Sequence, residues 1–337
     1  MFKKKVSIPV AILMTIAGAL ITFFSVSWLA PKNPEYEPTV TASPVNTCDR
    51  VNMVRLNGYQ FIRPLLFAEI PCEAEKLLPV KSAVVDIINS YKSSGTISGA
   101  SVYLRELSQG NWVSIGEQDT YNPGSLLKVP ELITFMKMNE KKPGLLDKKI
   151  LYSVPLQLKK QAFFLSKSIE VGKTYAIRDL LYYMIAYSDN NATMLLNQMM
   201  DLAIFKKLFT DLGLPEPNMT KNDIPIGVKE YSLFMRALYN ATYLNIGDSE
   251  YCTELLIHRD FNQGLLNGLP GEVKVAHKFG EARDRDGISA NFSESGIIYV
   301  GSSPYLLTVM IRGKNNVALP PVISMISRKV FEMISRA

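Results

Sequence analysis

Asn122-Pro123-Gly124-Ser125-Leu126-Leu127-Lys128-Val129-Pro130 places a serine and a lysine three residues apart at what reads as the start of a helix. Gly124 permits a tight turn before it, and Leu126, Leu127, Val129, Leu132, Ile133 and Met136 recur at helical spacing behind it. Residues i and i+3 lie on one helix face, so the spacing predicts that the Lys128 ammonium reaches the Ser125 hydroxyl. A serine hydroxyl is a weak nucleophile until its proton is taken, and a partly desolvated lysine is one group that can take it. Ser-x-x-Lys occurs by chance in many helices, so its meaning depends on what surrounds it.

On the amino-terminal side, short β-type runs cover Ala100 to Leu107 and Trp112 to Gly116, joined by the turn signal Ser108-Gln109-Gly110-Asn111. Before them, Val80, Val84, Val85, Ile87 and Ile88 predict a first helix between Leu78 and Tyr91. On the other side the chain from Leu151 to Leu256 reads as mostly helical. Leu180, Leu181, Met184 and Ile185 mark one helix, and Met194, Leu195, Met199 and Met200 another, with the methionines as core filler. Val273 to Lys278, Gly296 to Val300 and Tyr305 to Ile311 read as strands, and Pro320-Pro321 introduces a last helix, Val322 to Ile334. The order is helix, two strands, a helical block, three strands, helix. It predicts an α/β (α+β) fold in which strands from both ends form one antiparallel sheet, with helices on its faces and a helical subdomain inserted.

The extreme amino terminus has a different character. Lys3 to Lys5 precede an uncharged apolar run from Val6 to Ala30, long enough to span a bilayer of about 30 Å. The positive flank predicts a cytoplasmic amino terminus and an exported remainder. An uncleaved anchor in the lipid bilayer is favoured over a cleaved signal peptide, because no small-x-small cleavage site stands out before Trp28-Leu29-Ala30. Pro31 to about Thr47, rich in Pro, Thr, Ser and Glu, reads as an extended tether. The expected organisation is therefore an anchor or signal segment over 1–30, a tether and extension over 31–75, and one domain over 76–337.

A net charge of +6 spread over scattered lysines, such as Lys159-Lys160 and Lys206-Lys207, speaks against nucleic-acid binding. Three cysteines without C-x-x-C and only two histidines, His258 and His277, give no zinc spacing and little support for a Ser-His-Asp triad. No metal or cofactor is expected, and the domain is expected to be a monomer. Cys48 and Cys72 can pair in an oxidising compartment or remain free thiols.

Two further polar motifs interrupt the apolar pattern. Tyr187-Ser188-Asp189-Asn190-Asn191 stands where one helical period ends and another begins, which by itself is an ordinary helix cap. Ala276-His277-Lys278-Phe279-Gly280-Glu281 lies at a strand end, where a lysine can hold an anionic substrate and a glycine lets a substrate backbone approach. Alone, it is a surface lysine before a glycine.

In this order the three motifs resemble those of the penicillin-recognising serine enzymes, Ser-x-x-Lys, Ser-Asp-Asn and Lys-Thr-Gly. Pro-Gly-Ser-Leu-Leu-Lys-Val-Pro, Ser-Asp-Asn-Asn-Ala-Thr, Val-Ala-His-Lys-Phe-Gly-Glu and Gly-Ile-Ile-Tyr-Val are similar to the signature blocks of the class A β-lactamase-like branch, over about Leu78 to Ala337. The resemblance implies a five-stranded antiparallel sheet flanked by helices, with an all-helical subdomain. It implies that Ser125 attacks a carbonyl to form an acyl-enzyme, that Lys128 is base or proton relay, and that Ser188 passes a proton to the leaving nitrogen. Asn190 is implied to bind the substrate side chain, and Lys278 and Gly280 to hold substrate on the strand edge. The oxyanion hole would be formed by the N–H of Ser125 and that of Glu281 or Ala282.

The chain departs from the family pattern in three places. Phe279 replaces the usual Thr or Ser. Ser295 stands where an arginine is expected before Gly-Ile-Ile; Arg283 or Arg285 can substitute, although surface arginine is the simpler view of both. The connection that carries a deacylating glutamate in the lactamases is short, leaving Glu216 and Asp223 as loose candidates. The expected function is an exported, membrane-anchored serine hydrolase acting on β-lactams or D-Ala-D-Ala-like peptidoglycan peptides. The alternative is a weak or inactive penicillin-binding-like sensor, motivated by Phe279 and Ser295.

Overall fold

The computed structural model describes residues 48, 51–154, 164, 166–219, 224–258, 260–283 and 289–335. All of them fall in one compact unit, Asn46–Ala337. The apolar run Val6–Ala30, the tether as far as Thr47, Asp223 and Arg285 lie outside the described residues. Among the described residues no helix is long and apolar enough to cross a membrane.

The central sheet has five strands, all antiparallel: β3 (Ile97–Glu106), β4 (Trp112–Ile115), β7 (Lys274–Arg283), β8 (Ala290–Tyr299) and β9 (Tyr305–Gly313). Their order is β4-β3-β9-β8-β7, so strands from the two ends of the chain meet at the β3–β9 pair. β9 shows why. Its side chains alternate between two separate cores, Leu306 and Met310 in one and Tyr305, Leu307, Val309 and Ile311 in the other, all fully buried. A strand buried on both faces belongs at the middle of a sheet, and each such aliphatic side chain contributes about 1.5–3 kcal/mol.

The second of these cores is closed by α1 (Leu78–Ser93) and α8 (Leu319–Ile334). The first is closed by the helical block: α2 (Lys128–Lys141), α3 (Ile177–Ala186), α4 (Asn190–Asn197), α5 (Leu202–Asp211), α6 (Val228–Tyr239) and α7 (Ile246–Ile257). Within α2, Val129, Leu132, Ile133, Phe135 and Met136 are all essentially unexposed, so this helix is buried nearly all round. Met184 is core, as expected, whereas Met194 is exposed.

The structure departs from the sequence expectations in detail. The extension before α1 is a disulfide-closed hairpin rather than tether alone: β1 (Asn52–Arg55) pairs with β2 (Leu65–Glu69), and Cys48 is bonded to Cys72. The helical block contains a small ribbon, β5 (Lys149–Leu151) with β6 (Thr174–Ala176). β8 starts at Ala290, six residues before the expected Gly296, and β7 runs on past Lys278 to Arg283.

Candidate active site

Ser125 does not open the α-helix itself. It sits, half-buried, in a 3-10 turn over Gly124–Leu127, and α2 begins at Lys128. Two glycines allow that turn to lie against β7. Gly124 has φ +53°, and a Cβ there would come within 2.2 Å of the Glu281 carbonyl oxygen. A Cβ on Gly280 would come within 2.1 Å of the Pro123 oxygen and 2.8 Å of the Leu126 nitrogen. The backbone around Ser125 is thus in contact with that of Gly280 and Glu281. Asn122 ties the same junction, accepting from the Gly124 N–H at 3.2 Å and donating to the Arg283 carbonyl at 3.3 Å.

Lys128 is 3 % exposed, and its Nζ points across the cleft to the turn between α3 and α4. It donates to the Ser188 carbonyl (2.6 Å), Ser188 Oγ (3.2 Å) and Asn190 Oδ1 (2.8 Å). The expected contact with Ser125 is therefore replaced in this structure by one with Ser188 and Asn190. An ammonium has three protons to donate, and here backbone and side-chain oxygens take them. Asn190, expected to bind substrate, holds Lys128 with its Oδ1.

The turn that supplies these oxygens is strained. Ser188 has φ +53°, a region costly for a residue with a side chain. Asp189 stabilises it from behind. Buried, it caps α4 through the N–H groups of Asn191 and Ala192, and accepts from Ser168 Oγ and the Ile169 N–H at 2.9 Å each. Ser188 and Asn190 are thereby turned toward the lysines, while Asp189 faces the protein.

From the strand side Lys278, 2 % exposed, donates to the same Ser188 Oγ at 2.9 Å and to the Phe279 carbonyl at 3.0 Å. One hydroxyl thus receives both lysines. Burial lowers the Lys128 ammonium to about 8, partly offset by the charges of Glu131, Asp189 and Glu281. Burial and the charge of Lys128 hold Lys278 well below the usual lysine range, with Glu294 and Glu281 opposing. Burial thus makes both ammonium groups more acidic than ordinary lysines at the point where they share one hydroxyl.

The substituted positions have structural roles. The Phe279 ring stacks on Phe261 (centroids 4.1 Å) and meets Phe164 edge-on at 5.5 Å, and Lys278 Nζ lies 4.1 Å from its centroid. Phe164 is held a second time, its N–H donating to Glu281 Oε1 at 3.1 Å. Ser295 is fully buried and bonded to Thr308 Oγ1 at 2.7 Å, so the position where the family resemblance predicts arginine is used for a hydrogen bond within the sheet. Arg283 ends β7 with its side chain exposed. Glu216 is paired with Lys206 at 2.8 Å on the surface, its side chain 57 % exposed, and is not joined to the lysine–serine cluster.

One residue of the centre escaped the sequence motifs. Glu131, buried on α2 beside Lys128, carries a carboxyl that burial raises to about 7, opposed by Lys128 and by Asn197. Its only sequence signal is an acid inside the apolar run from Leu126 to Met136, three residues after the lysine.

A helical subdomain against a five-stranded antiparallel sheet, with a serine turn and two lysines at their junction, defines a β-lactamase/transpeptidase-like fold. Residues 79–334 match the model of the β-lactamase enzyme family, and the chain belongs to that family. Solved structures show the same fold. A β-lactamase from Chitinophaga pinensis superposes with TM-score 0.65 at 19% identity, over 76% of this chain and 99% of that one. A class A β-lactamase from Mycobacterium abscessus gives 0.64 at 18% identity, over 75% and 99%, and PBP-A gives 0.62 at 18%, over 76% and 97%. No curated protein matches the chain by sequence.

Proposed function

We propose that the chain is an exported serine acyl-enzyme hydrolase, held at the membrane by Val6–Ala30, that acts on β-lactams or D-Ala-D-Ala-like peptide ends. The observation that carries this is the convergence of Lys128 and Lys278 on Ser188 Oγ beside the Ser125 turn. Ser125 Oγ attacks the carbonyl carbon and its proton passes to the Lys128 amine. Ser188 Oγ then gives its proton to the leaving nitrogen and is reprotonated from the lysines. The developing oxyanion is met by the N–H groups of Ser125 and Glu281, since the turn residue Gly124 packs against Glu281. Gly280 lets the Ser125 turn lie directly against β7, which places the strand beside the serine. A variant of PBP-A, with the same fold, is known as an acyl-enzyme complex with penicillin G.

Export is supported by the lysine-flanked apolar run and by the Cys48–Cys72 disulfide, a bond that persists in oxidising compartments. Hydrolysis of the acyl-enzyme needs a base that positions water, and Glu216, occupied by Lys206, is not placed to be one. Among the described residues neither candidate is in place, and we infer that deacylation is slow.

Intact-mass spectrometry of the full chain in detergent, mixed with a penicillin and sampled over time beside Ser125→Ala, tests this. A Ser125-dependent adduct that lingers is expected, and adduct formation in the variant falls by at least about 10³-fold. An adduct that appears and vanishes as lactam is consumed supports the same acyl-enzyme with fast deacylation. No adduct with penicillin and no cleavage of a D-Ala-D-Ala peptide would overturn the proposal.

A further inference from the structure

Three carboxylates act on Lys128 electrostatically: Glu131, Asp189 and Glu281, with Glu131 the strongest. Two of them are engaged. Asp189 caps α4 and accepts from Ser168 and Ile169, and Glu281 accepts from the Phe164 N–H. Glu131 differs. It lies three residues beyond Lys128 on α2, so the two side chains share a helix face, and it is 8 % exposed. Its Oε1 accepts a long bond of 3.4 Å from Asn197 Nδ2 on α4, and its Oε2 is buried without a hydrogen-bond donor among the described residues. A helix-packing role needs neither a charge nor a carboxylate here, since the surrounding α2 positions are apolar. Leaving a carboxylate oxygen buried without a donor is unfavourable, so an ordinary core position would not retain it.

We propose that Glu131 is a positioning residue for the proton chemistry of Lys128: its carboxylate sets whether the amine is charged, and so the pH range in which Ser125 is activated. The proposal rests on Lys128 being the base that takes the Ser125 proton. At low pH the pair holds two protons, as carboxylic acid and ammonium. As pH rises through the range around neutrality one proton leaves, and the remaining one is shared between ammonium with carboxylate and amine with carboxylic acid. Only the amine can accept the Ser125 proton as the oxygen–carbon bond forms, becoming ammonium in that step. The groups that bear on the pair are Asp189 from the α3–α4 turn, Glu281 and Lys278 from β7, and Asn197 from α4. An ionised Glu131 favours the ammonium, so deleting its charge frees the amine at lower pH.

The test is the pH profile of acylation by penicillin in the full chain, for wild type, Glu131→Gln and Glu131→Asp, with thermal unfolding as the check of folding. Wild type should gain rate with a midpoint near 8, where Lys128 loses its proton. Glu131→Gln should move that midpoint down by about one pH unit, raising acylation about tenfold on the acidic side while leaving the alkaline plateau unchanged. Glu131→Asp should restore the wild-type midpoint. A folded Glu131→Gln protein with an unmoved midpoint would overturn the proposal, because a purely structural residue changes the plateau or the stability and not the midpoint. If Glu131→Gln fails to fold, Asn197→Ala takes its place. It removes the donor that favours the ionised carboxylate and should move the midpoint down in the same sense; an unmoved midpoint there would also overturn the proposal. Lys128→Ala separates the two levels: acylation at the wild-type rate in that variant would remove the base beneath the proposal, whatever the Glu131 profile.

Discussion

The two walls of the cleft differ in what they keep. The helical wall, made by the Ser125 turn, α2 and the α3–α4 turn, retains serine, lysine, serine and asparagine, and Lys128 is bonded to Ser188 and Asn190 at 2.6–3.2 Å. The strand wall retains Lys278 and Gly280, but Phe279 stands where a hydroxyl is expected and Ser295 where an arginine is expected. In the proposed mechanism Ser125, Lys128 and Ser188 each use a particular atom in proton transfer, and Asn190 holds the lysine through its Oδ1. Anchoring an anionic substrate group is less demanding, because a cation or a donor can come from several directions. The difference teaches that, under the proposed function, the groups assigned to acylation are kept apart from those assigned to substrate anchoring, and that the substituted position serves packing: Phe279 meets Phe164 edge-on beside β7.

If the walls act together, their spacing matters more than any anchoring contact. Gly280→Ala is the sharpest test, since the new methyl meets the Pro123 oxygen and the Leu126 nitrogen. The strand and the Ser125 turn must then move apart, and acylation measured by adduct formation should fall by about 10²-fold. Acylation at the wild-type rate would show that the strand wall is not held in register with the serine.

Phe279→Thr restores the hydroxyl expected of the strand wall and removes the aromatic stack. A thermal melt should show a loss of about 3 kcal/mol, because a nearly buried ring in contact with Phe261, Phe292 and Phe164 leaves a cavity. Equilibrium binding of a carboxylate-bearing lactam is measured with Ser125→Ala added to both proteins, so that no adduct forms. Phe279→Thr should tighten that binding by up to about tenfold if the hydroxyl reaches the ligand. Unchanged stability would contradict the packing role assigned to the ring.

The same contrast governs how much could be read beforehand. The fold order and the sheet were legible because α1, β3, β9 and α8 carry strong apolar periods. The first half of β8 was hidden because Asn291, Ser293, Glu294 and Ser295 are polar yet buried, so no hydrophobic alternation marks them. The hairpin β1–β2 was hidden for the opposite reason, since most of β1 is exposed. Ser125, Lys128, Ser188, Asn190 and Lys278 could be named from short motifs. Which atoms they use could not, because the Lys128–Ser188 bond joins α2 to the α3–α4 turn, 60 residues further along the chain. Glu131 was illegible since an acid in the first turn of a helix is ordinary, and only burial makes it unusual.

The smallest expected effect lies on neither wall. Glu216 resembles a lactamase glutamate by its neighbours Pro215 and Pro217, and if it were the deacylating base its loss would slow acyl-enzyme breakdown by orders of magnitude. Its carboxylate instead pairs with Lys206 on α5 at an exposed site, where such pairs contribute little to stability. Glu216→Gln should therefore leave the lifetime of the penicillin adduct within about twofold of wild type, and the melting temperature nearly unchanged. A much longer-lived adduct would mean that the loop rearranges on acylation and that the helical wall is completed from outside the residues that now form it.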